Sequence, residues 1–389
     1  MNTIIEFLDV EPMENVAACL RYRADRVLFF GYDDVIKARK SSTEHFLTRR
    51  CGVKKVLFFP LSQKSLPSVL QTMRSRIGEE LALGSNVYID ITGGEHLILA
   101  AIGILAHELR LPVFEIDIDK DRLIEMDTGS DRKISRDVPP NEILFDIDLY
   151  IEMRGGAVNY SLHKGLKELD DPEFVNDVLS IWKIAEAYKD CWTSFTELLK
   201  SCLTPDEDLR VSRRTLSVME TLSESPSSSL TAPRAEQMIR GLAEEGILKD
   251  LGLSAERYRF TFKNATVKEC LWESGSILEL HTYLEEKKNS DDCLVGVHLD
   301  WDGTLHSRTS EDVLNEIDVL SVNGNRITFI SCKAGRMGSS QSLYALYELE
   351  TVAERFGGRY ARKKLVTFQP LNDIYMERAA EMGIEVVVV

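Results

Sequence analysis

The sequence predicts an α/β protein of two or three domains, and three observations carry that prediction. Its 389 residues exceed what a single hydrophobic core usually organises. Short apolar strands alternate with helical stretches near both ends. Between them lies a helix-rich middle interrupted by the Ser/Pro-rich break Ser223 to Ser229.

Taken in order, Thr3-Ile4-Ile5-Glu6-Phe7-Leu8 reads as a first strand, followed by the loop Glu11-Pro12-Met13-Glu14-Asn15 and a helix. Further strands are expected at Arg26 to Phe30, Lys55 to Phe59, Asn86 to Ile91 and Pro112 to Asp117, with helices such as 95–110 between them. Apolar strands alternating with helices imply a parallel sheet covered on both faces, a Rossmann-like domain over residues 1–150. Ligands of such folds bind at the carboxyl ends of the strands. The stretch 173–203 reads as helical, with Trp182, Ile184, Ala185, Tyr188 and Trp192 near helical spacing. A capped helix from Thr231 to Glu245, then Gly246-Ile247-Leu248 and the strand Arg257 to Phe262, outline a winged helix over 151–265. Glu236, Glu244 and Glu245 make its recognition helix acidic, which favours a connector over a DNA reader. Residues 266–389 return to α/β: a helix carrying Trp272, Leu278, Glu279, Leu280, Tyr283 and Leu284, a strand Leu294 to Leu299, a hairpin, a helix at 340–356, and strands at Leu365 to Phe368 and Ile384 to Val389.

Composition narrows the function classes. A 44% hydrophobic and 28% charged chain is that of a globular protein. No apolar run reaches membrane-spanning length, and Met1-Asn2-Thr3-Ile4 lacks a basic leader, so a cytoplasmic protein is expected. The seven cysteines include no C-x-x-C pair, which argues against a zinc knuckle and for a reducing compartment. A net charge of −16 counts against constitutive DNA binding and leaves an enzyme open.

The richest chemical signal is Asn315-Glu316-Ile317-Asp318-Val319-Leu320, followed by Phe329-Ile330-Ser331-Cys332-Lys333. Asn323-Gly324 suits both positive-φ positions of a type I′ turn. With those two residues as the loop, Glu316 faces Ser331 and Asp318 faces Phe329. Glu316, Asp318, Ser331 and Lys333 then share one face, and Ile317, Val319 and Ile330 the other. An edge hairpin with one solvated face is the commoner structure. Here, however, the lysine ends an apolar run, and two acids in alternation can reach one ion, which favours a metal-assisted hydrolytic site.

Secondary signals are weaker. Ile91-Thr92-Gly93-Gly94-Glu95-His96 runs from a strand into an apolar helix, where glycines and a helix N-terminus could approach a phosphate. Its plain structural reading is a tight turn whose Thr92 or Glu95 caps the helix. No G-x-G-x-x-G or Walker motif is present, so nicotinamide and ATP sites lose their best support. Arg359, Arg362, Lys363 and Lys364 form a basic cluster, a solvated loop or a strand-binding rim. Asp300 and Asp302 read as a turn, and His281, His298 and His306 lack metal-ligand spacing.

Gly275-Ser276-Ile277-Leu278-Glu279, Asn315 to Val319 and Ile330-Ser331-Cys332-Lys333 together resemble the PD-(D/E)xK restriction-endonuclease-like core. The N-terminal domain with Thr92-Gly93-Gly94 resembles a CRISPR-associated Rossmann fold (CARF) sensor. The combination is similar to the cyclic-oligoadenylate-activated nucleases of type III CRISPR defence. The resemblance implies Mn²⁺ or Mg²⁺ held by Asp318, Glu279 or Glu316 and the Cys332 carbonyl, with Lys333 at the scissile phosphate. Ser331 departs from the family, which places an acid there, so Glu316 is expected to supply the missing charge from across the hairpin. In the sensor the resemblance places Glu11, Pro12, Met13, Asn15, Thr92, Gly93, Gly94, Glu95 and His96 around a cyclic oligoadenylate, cyclic tetraadenylate first, on the twofold axis of a homodimer. Single-stranded DNA or RNA, or nicked duplex, would be the substrate. The alternatives are a ligand-responsive transcriptional regulator with a non-catalytic nuclease fold, and a ring nuclease using Glu95 or His96.

Overall fold

The computed structural model describes residues 1–8, 10–61, 65–118, 120, 122–126, 133–137, 145–162, 167–205, 209–224, 229–273, 275–301, 303 and 314–389. Asp302, His306 and most of the Ser/Pro-rich break lie outside these residues. The α/β class read from the sequence is the one found, built on three sheets.

The first sheet is formed by β1 (Asn2–Phe7), β2 (Arg26–Gly31), β3 (Lys55–Pro60), β4 (Asn86–Asp90), β5 (Val113–Asp117), β6 (Arg122–Met126) and β7 (Lys133–Asp137), in the order β3-β2-β1-β4-β5-β6-β7. Strands β1 to β5 pair in parallel, and β6 and β7 add an antiparallel margin that alternation alone did not disclose. Helices α1 (Pro12–Arg21), α2 (Asp33–Arg49), α3 (Leu66–Ala82) and α4 (His96–Leu109) connect the parallel strands. Two apolar clusters involve this sheet: Ile5, Phe30, Met73 and Ile102 belong to one, and Ile4, Phe29, Met13 and Phe114 to the other. That burial on both sides is what near-continuous apolar strands require.

Next come α5 (Ile147–Met153) and β8 (Ala157–Val158), which pairs with the third sheet. The middle region holds α6 (Pro172–Ala187), α7 (Trp192–Ser201), β9 (Arg210–Arg214), α8 (Thr215–Ser223), α9 (Ala232–Glu244), β10 (Leu248–Leu253) and β11 (Arg257–Phe262). The expected continuous helix at 173–203 is two helices. The winged-helix outline gains a strand, β9, giving the order β10-β11-β9. Thr231 stands at the N-cap of α9 without a side-chain cap bond, so Pro233 in the first turn starts the helix.

The third sheet follows α10 (Ala265–Trp272) and α11 (Ser276–Lys287). The single helix expected there is therefore two. Its strands are β12 (Asp292–Asp300), β13 (Leu314–Asn323) and β14 (Arg326–Lys333), then, separated by α12 (Ser339–Gly357) and α13 (Asp373–Glu381), β15 (Arg362–Thr367) and β16 (Ile384–Val388). The order is β16-β15-β14-β13-β12-β8. Val295, Val319, Ile330 and Cys332 pack in one cluster with Leu278 and Tyr283 of α11. Leu320, Phe329 and Leu346 of α12 join the cluster that reaches Ile4 and Phe114 of the first sheet, with Phe145 and Tyr150 among its members. The first and third sheets thus share buried apolar contacts.

Candidate active site

The hairpin β13–β14 forms, with a loop one residue later than expected. Asn323 pairs with Arg326, Val322 with Ile327 and Val319 with Ile330, so Gly324-Asn325 is the two-residue loop. Gly324 has φ 59°, whereas neither asparagine has positive φ. That suits a glycine-first type II′ turn better than type I′. Neighbours hold it: Asp291 accepts from the Gly324 N–H at 2.8 Å, and Tyr150 donates to the Asn325 carbonyl.

This register overturns the proposed partners. Ser331 meets Asp318 instead of Glu316: its Oγ donates to Asp318 Oδ2 at 3.1 Å, and the Cys332 N–H donates to the same oxygen at 2.6 Å. Lys333 Nζ stands 3.6 Å from it. Glu316 pairs with His298 of β12, with Nε2 to Oε1 at 3.9 Å. The strict alternation expected of β13 also fails. Val319 packs in the α11 cluster and Ile317 in the other, although residues two apart should share a face. The same division separates their partners Val295 and Val297, and Gly296 between those has φ 61°. The strands turn at this level, which carries Glu316 away from Ser331.

Asp318, Ser331, Cys332 and Lys333 are therefore brought together at the carboxyl end of β14. Glu279, in the first turn of α11, lies near them through the Cys332 thiol. Burial pushes that thiol well up, the Asp318 and Glu279 charges push it further, and Lys333 opposes them. Thr282 of α11 is 3.6 Å from the same sulfur. Carboxylates and a backbone carbonyl are hard oxygen donors of the kind Mg²⁺ and Mn²⁺ take, and one or two carboxylates plus substrate phosphate oxygens suffice for Mg²⁺. Among the described residues no group of three or more acidic, histidine or cysteine side chains converges on one point; Asp318 is the carboxylate set directly beside Ser331, Cys332 and Lys333.

The basic cluster is not a rim beside this site. Arg362 pairs with Thr328 and Thr367 with Lys333, so the cluster occupies the opposite end of β15, about 16 Å along the strand. Lys363 is ion-paired with Glu350, Lys364 with Glu286 and Arg359 with Glu14. Asp300 is buried and accepts from the Gly303 N–H, as a turn residue does. His281 stacks on Trp182 with ring centroids 3.7 Å apart.

In the first sheet Thr92 is not a cap. Its N–H and Oγ donate to Asp90 at 2.8 and 2.5 Å, and its Oγ accepts from the Ile116 N–H at 2.9 Å. Glu95 stands at the N-cap of α4 without a cap bond and accepts from Tyr32 Oη at 2.9 Å. Gly94 has φ 129°, which only glycine adopts readily, and a Cβ on Gly93 would lie 2.1 Å from Glu14 Oε2, so Glu14 would have to shift to admit one. Thr92, Gly93 and Gly94 are half-buried, and Glu95 and His96 are exposed. The loop and helix start from Glu11 to Asn15 behave differently. Pro12, Met13 and Asn15 are buried, and Asn15 donates to Glu6 and to the Phe7 carbonyl. Glu11 is ion-paired with Arg154. These side chains are held within the fold of this chain, and of the two segments only the Thr92–His96 turn presents exposed side chains.

Glu14 is the residue that sequence reasoning passed over. Only 2% exposed, it touches the Gly93 turn, accepts from Tyr360 Oη at 2.8 Å and pairs with Arg359 at 3.0 Å. The one signal for it was an acid in the first turn of α1. Beneath it, Glu6 and Asp90 are buried acids. Burial pushes Asp90 up to about 7, with Glu14 and Glu115 adding to the shift against the Thr92 hydrogen bonds. Burial and then the Asp90 charge raise Glu6.

Residues 269–388 match the family model described as Card1-like, endonuclease domain. The matched segment holds β12 to β16 of the third sheet, and β8 lies outside it. Over the whole chain the fold is similar to a crystal structure of protein VC1899 from Vibrio cholerae, with TM-score 0.75 and 18% identity over 100% of this chain and 94% of that one. It is similar to Can2 from Sulfobacillus thermosulfidooxidans in complex with cyclic tetra-adenylate, with TM-score 0.66 and 14% identity over 99% and 95%. A third similar structure is a type III CRISPR defence DNA nuclease activated by cyclic oligoadenylate, with TM-score 0.51 and 14% identity over 97% of this chain and 51% of that one. No curated protein matches by sequence.

Proposed function

We propose that the chain is a divalent-metal-dependent nuclease of type III CRISPR defence, switched on by a cyclic oligoadenylate. The observation that supports this most is the meeting of Asp318, Ser331, Cys332 and Lys333 inside the segment that matches an endonuclease family. A bound Mg²⁺ or Mn²⁺ would polarise the scissile phosphate and acidify an attacking water. Asp318 and Glu279 would hold it with the Cys332 carbonyl. The Cys332 N–H and Ser331 hydroxyl fix the Asp318 carboxylate through one oxygen, leaving the other for the ion. Lys333 would place a positive charge where the phosphate gains negative charge. Hydrolysis of this kind needs no covalent intermediate.

In the sensor, the Thr92–His96 turn would receive the activator, with cyclic tetraadenylate the ring favoured, and two copies would meet across it as a homodimer in the cytoplasm. Glu14 supplies a route to the nuclease-like domain, since a ligand that displaces the Gly93 turn would bear on Arg359 and Tyr360. The acids at α9 and its C-cap do not support the regulator alternative: Glu236 accepts from Tyr258, and the capping Glu245 is taken by Ser180 and Lys183.

The test is incubation with plasmid and with single-stranded DNA and RNA, with Mn²⁺, adding each cyclic oligoadenylate separately. Cutting that requires both metal and one ring size is the expected result. No cutting under any condition, together with specific duplex binding, would overturn it in favour of the regulator.

A further inference from the structure

The outward face of the β10-β11-β9 sheet gathers five cations, in a chain of net charge −16, that make no ion pair with a described residue. Alternate residues of β9 and β11 point inward: Val211, Tyr258, Phe260 and Phe262 are buried in the core of the middle region. The residues between them form the other face. Arg214 lies directly opposite Arg257, Ser212 opposite Arg259, and Arg210 opposite Thr261, with Lys249 of β10 also opposite Thr261. Arg210, Arg214, Arg259 and Lys249 are exposed and Arg257 is half-buried. None of the five makes an ion pair with a described residue, unlike Lys363 and Lys364 at the other basic cluster.

Folding alone does not favour this arrangement. Like charges directly opposite on one face of an antiparallel pair destabilise it, and Arg214 and Arg257 are such a pair. Arg257 is nonetheless oriented, donating to Ser212 Oγ at 2.6 Å. Four of the five cations are arginines, whose planar forks match phosphate oxygens. The aromatic residues of the sheet all point the other way, so the face offers no ring on which an unpaired base could stack.

We propose that this face binds the phosphate backbone of duplex DNA, without reading its sequence, and holds the substrate for the nuclease-like domain. The choice of a nucleic-acid partner rests on the nuclease reading; the charge arrangement does not. Duplex is favoured over single strands because backbone charge is all the face can contact. The middle region is then a substrate grip through its sheet, while its acidic helix α9 takes no part.

The test measures binding of labelled duplex DNA to the full chain in EDTA, without activator, over a series of salt concentrations. In the charge-reversed pair Arg214→Glu with Arg259→Glu, affinity is expected to fall at least about 10-fold and the slope of log K against log salt to shrink by roughly 2, one unit per lost phosphate contact. The pair Arg214→Lys with Arg259→Lys keeps the charge and should retain both affinity and slope, with unchanged circular dichroism. Unchanged affinity and slope in the reversed pair would overturn the proposal. So would equal losses in the lysine pair, or arginine-dependent binding that prefers single-stranded DNA or RNA to duplex. Asp318→Ala separates the two readings: it should stop cutting and leave this binding intact. A parent protein that cuts nothing yet still binds duplex through these arginines would retain the proposal and remove the nuclease reading.

Discussion

The first and third sheets each carry acids on their strands, and their surroundings treat them differently. In the nuclease-like domain Asp318 is surrounded by donors and a cation: the Cys332 N–H, the Ser331 hydroxyl and Lys333. In the first sheet Glu6 and Asp90 sit buried beside other acids, and burial raises their pKa values although Asn15 and Thr92 donate to them. One arrangement keeps a carboxylate ready for an ion. The other penalises ionisation beneath a glycine turn, a penalty that a change admitting water would relieve. The difference teaches that acid residues alone do not mark a catalytic centre; the groups facing them decide.

The largest effect is expected at the donor-rich site. Asp318→Ala and Lys333→Ala should each reduce activated cleavage by roughly 10²–10⁴-fold, measured by plasmid nicking with Mn²⁺ and activator. Full activity in either would end the assignment.

The acid-rich site should show its effect in stability. A raised folded-state pKa means the folded chain binds more protons than the unfolded one between about pH 4 and 7, so this contribution weakens as pH rises through that window. With Asp90 pushed up to about 7, Asp90→Asn should flatten the dependence and stabilise the protein above pH 7 by on the order of a few kcal/mol. Denaturant titrations at pH 5 and pH 8 check this; an identical pH dependence in variant and parent would contradict it.

A coupling between the two sites is the next test. Glu14→Gln removes the charge that Arg359 meets while keeping an acceptor for Tyr360. Activator binding should persist while stimulation of cutting drops about 10-fold, within the usual range of allosteric coupling. Calorimetry and cleavage assays run side by side would show whether the two properties separate.

The smallest difference concerns the second carboxylate. Glu279→Gln should raise the metal concentration needed for half-maximal cutting by several-fold, about as one weakened ligand predicts. Glu316→Gln, turned toward His298, should change it less. The reverse ranking would restore Glu316 to the site.

Much of this was legible in the sequence because it depends on local rules. Parallel strands buried on both faces show as apolar runs, so β1 to β5 could be placed from composition and spacing. Asp318, Ser331 and Lys333 could be placed on one hairpin because residue type and strand period are local properties. Three other things were not legible. The turn type depended on Asp291 and Tyr150, which hold Gly324-Asn325 from distant segments. The direction of Glu316 depended on a break in alternation opposite Gly296. The fate of the basic cluster depended on which acids, Glu14, Glu286 and Glu350, arrived from elsewhere in the chain.

The sequence by itself determined the α/β class, the hairpin and the residue types able to act on a phosphodiester. Only the tertiary structure decided which charges meet: Asp318 with Lys333 and Glu14 with Arg359, while five cations of the β10-β11-β9 sheet make no ion pair with a described residue. The physical reason is range. Backbone propensity and hydrophobic period act over a few residues, whereas charge pairing and burial act between segments that only folding brings together.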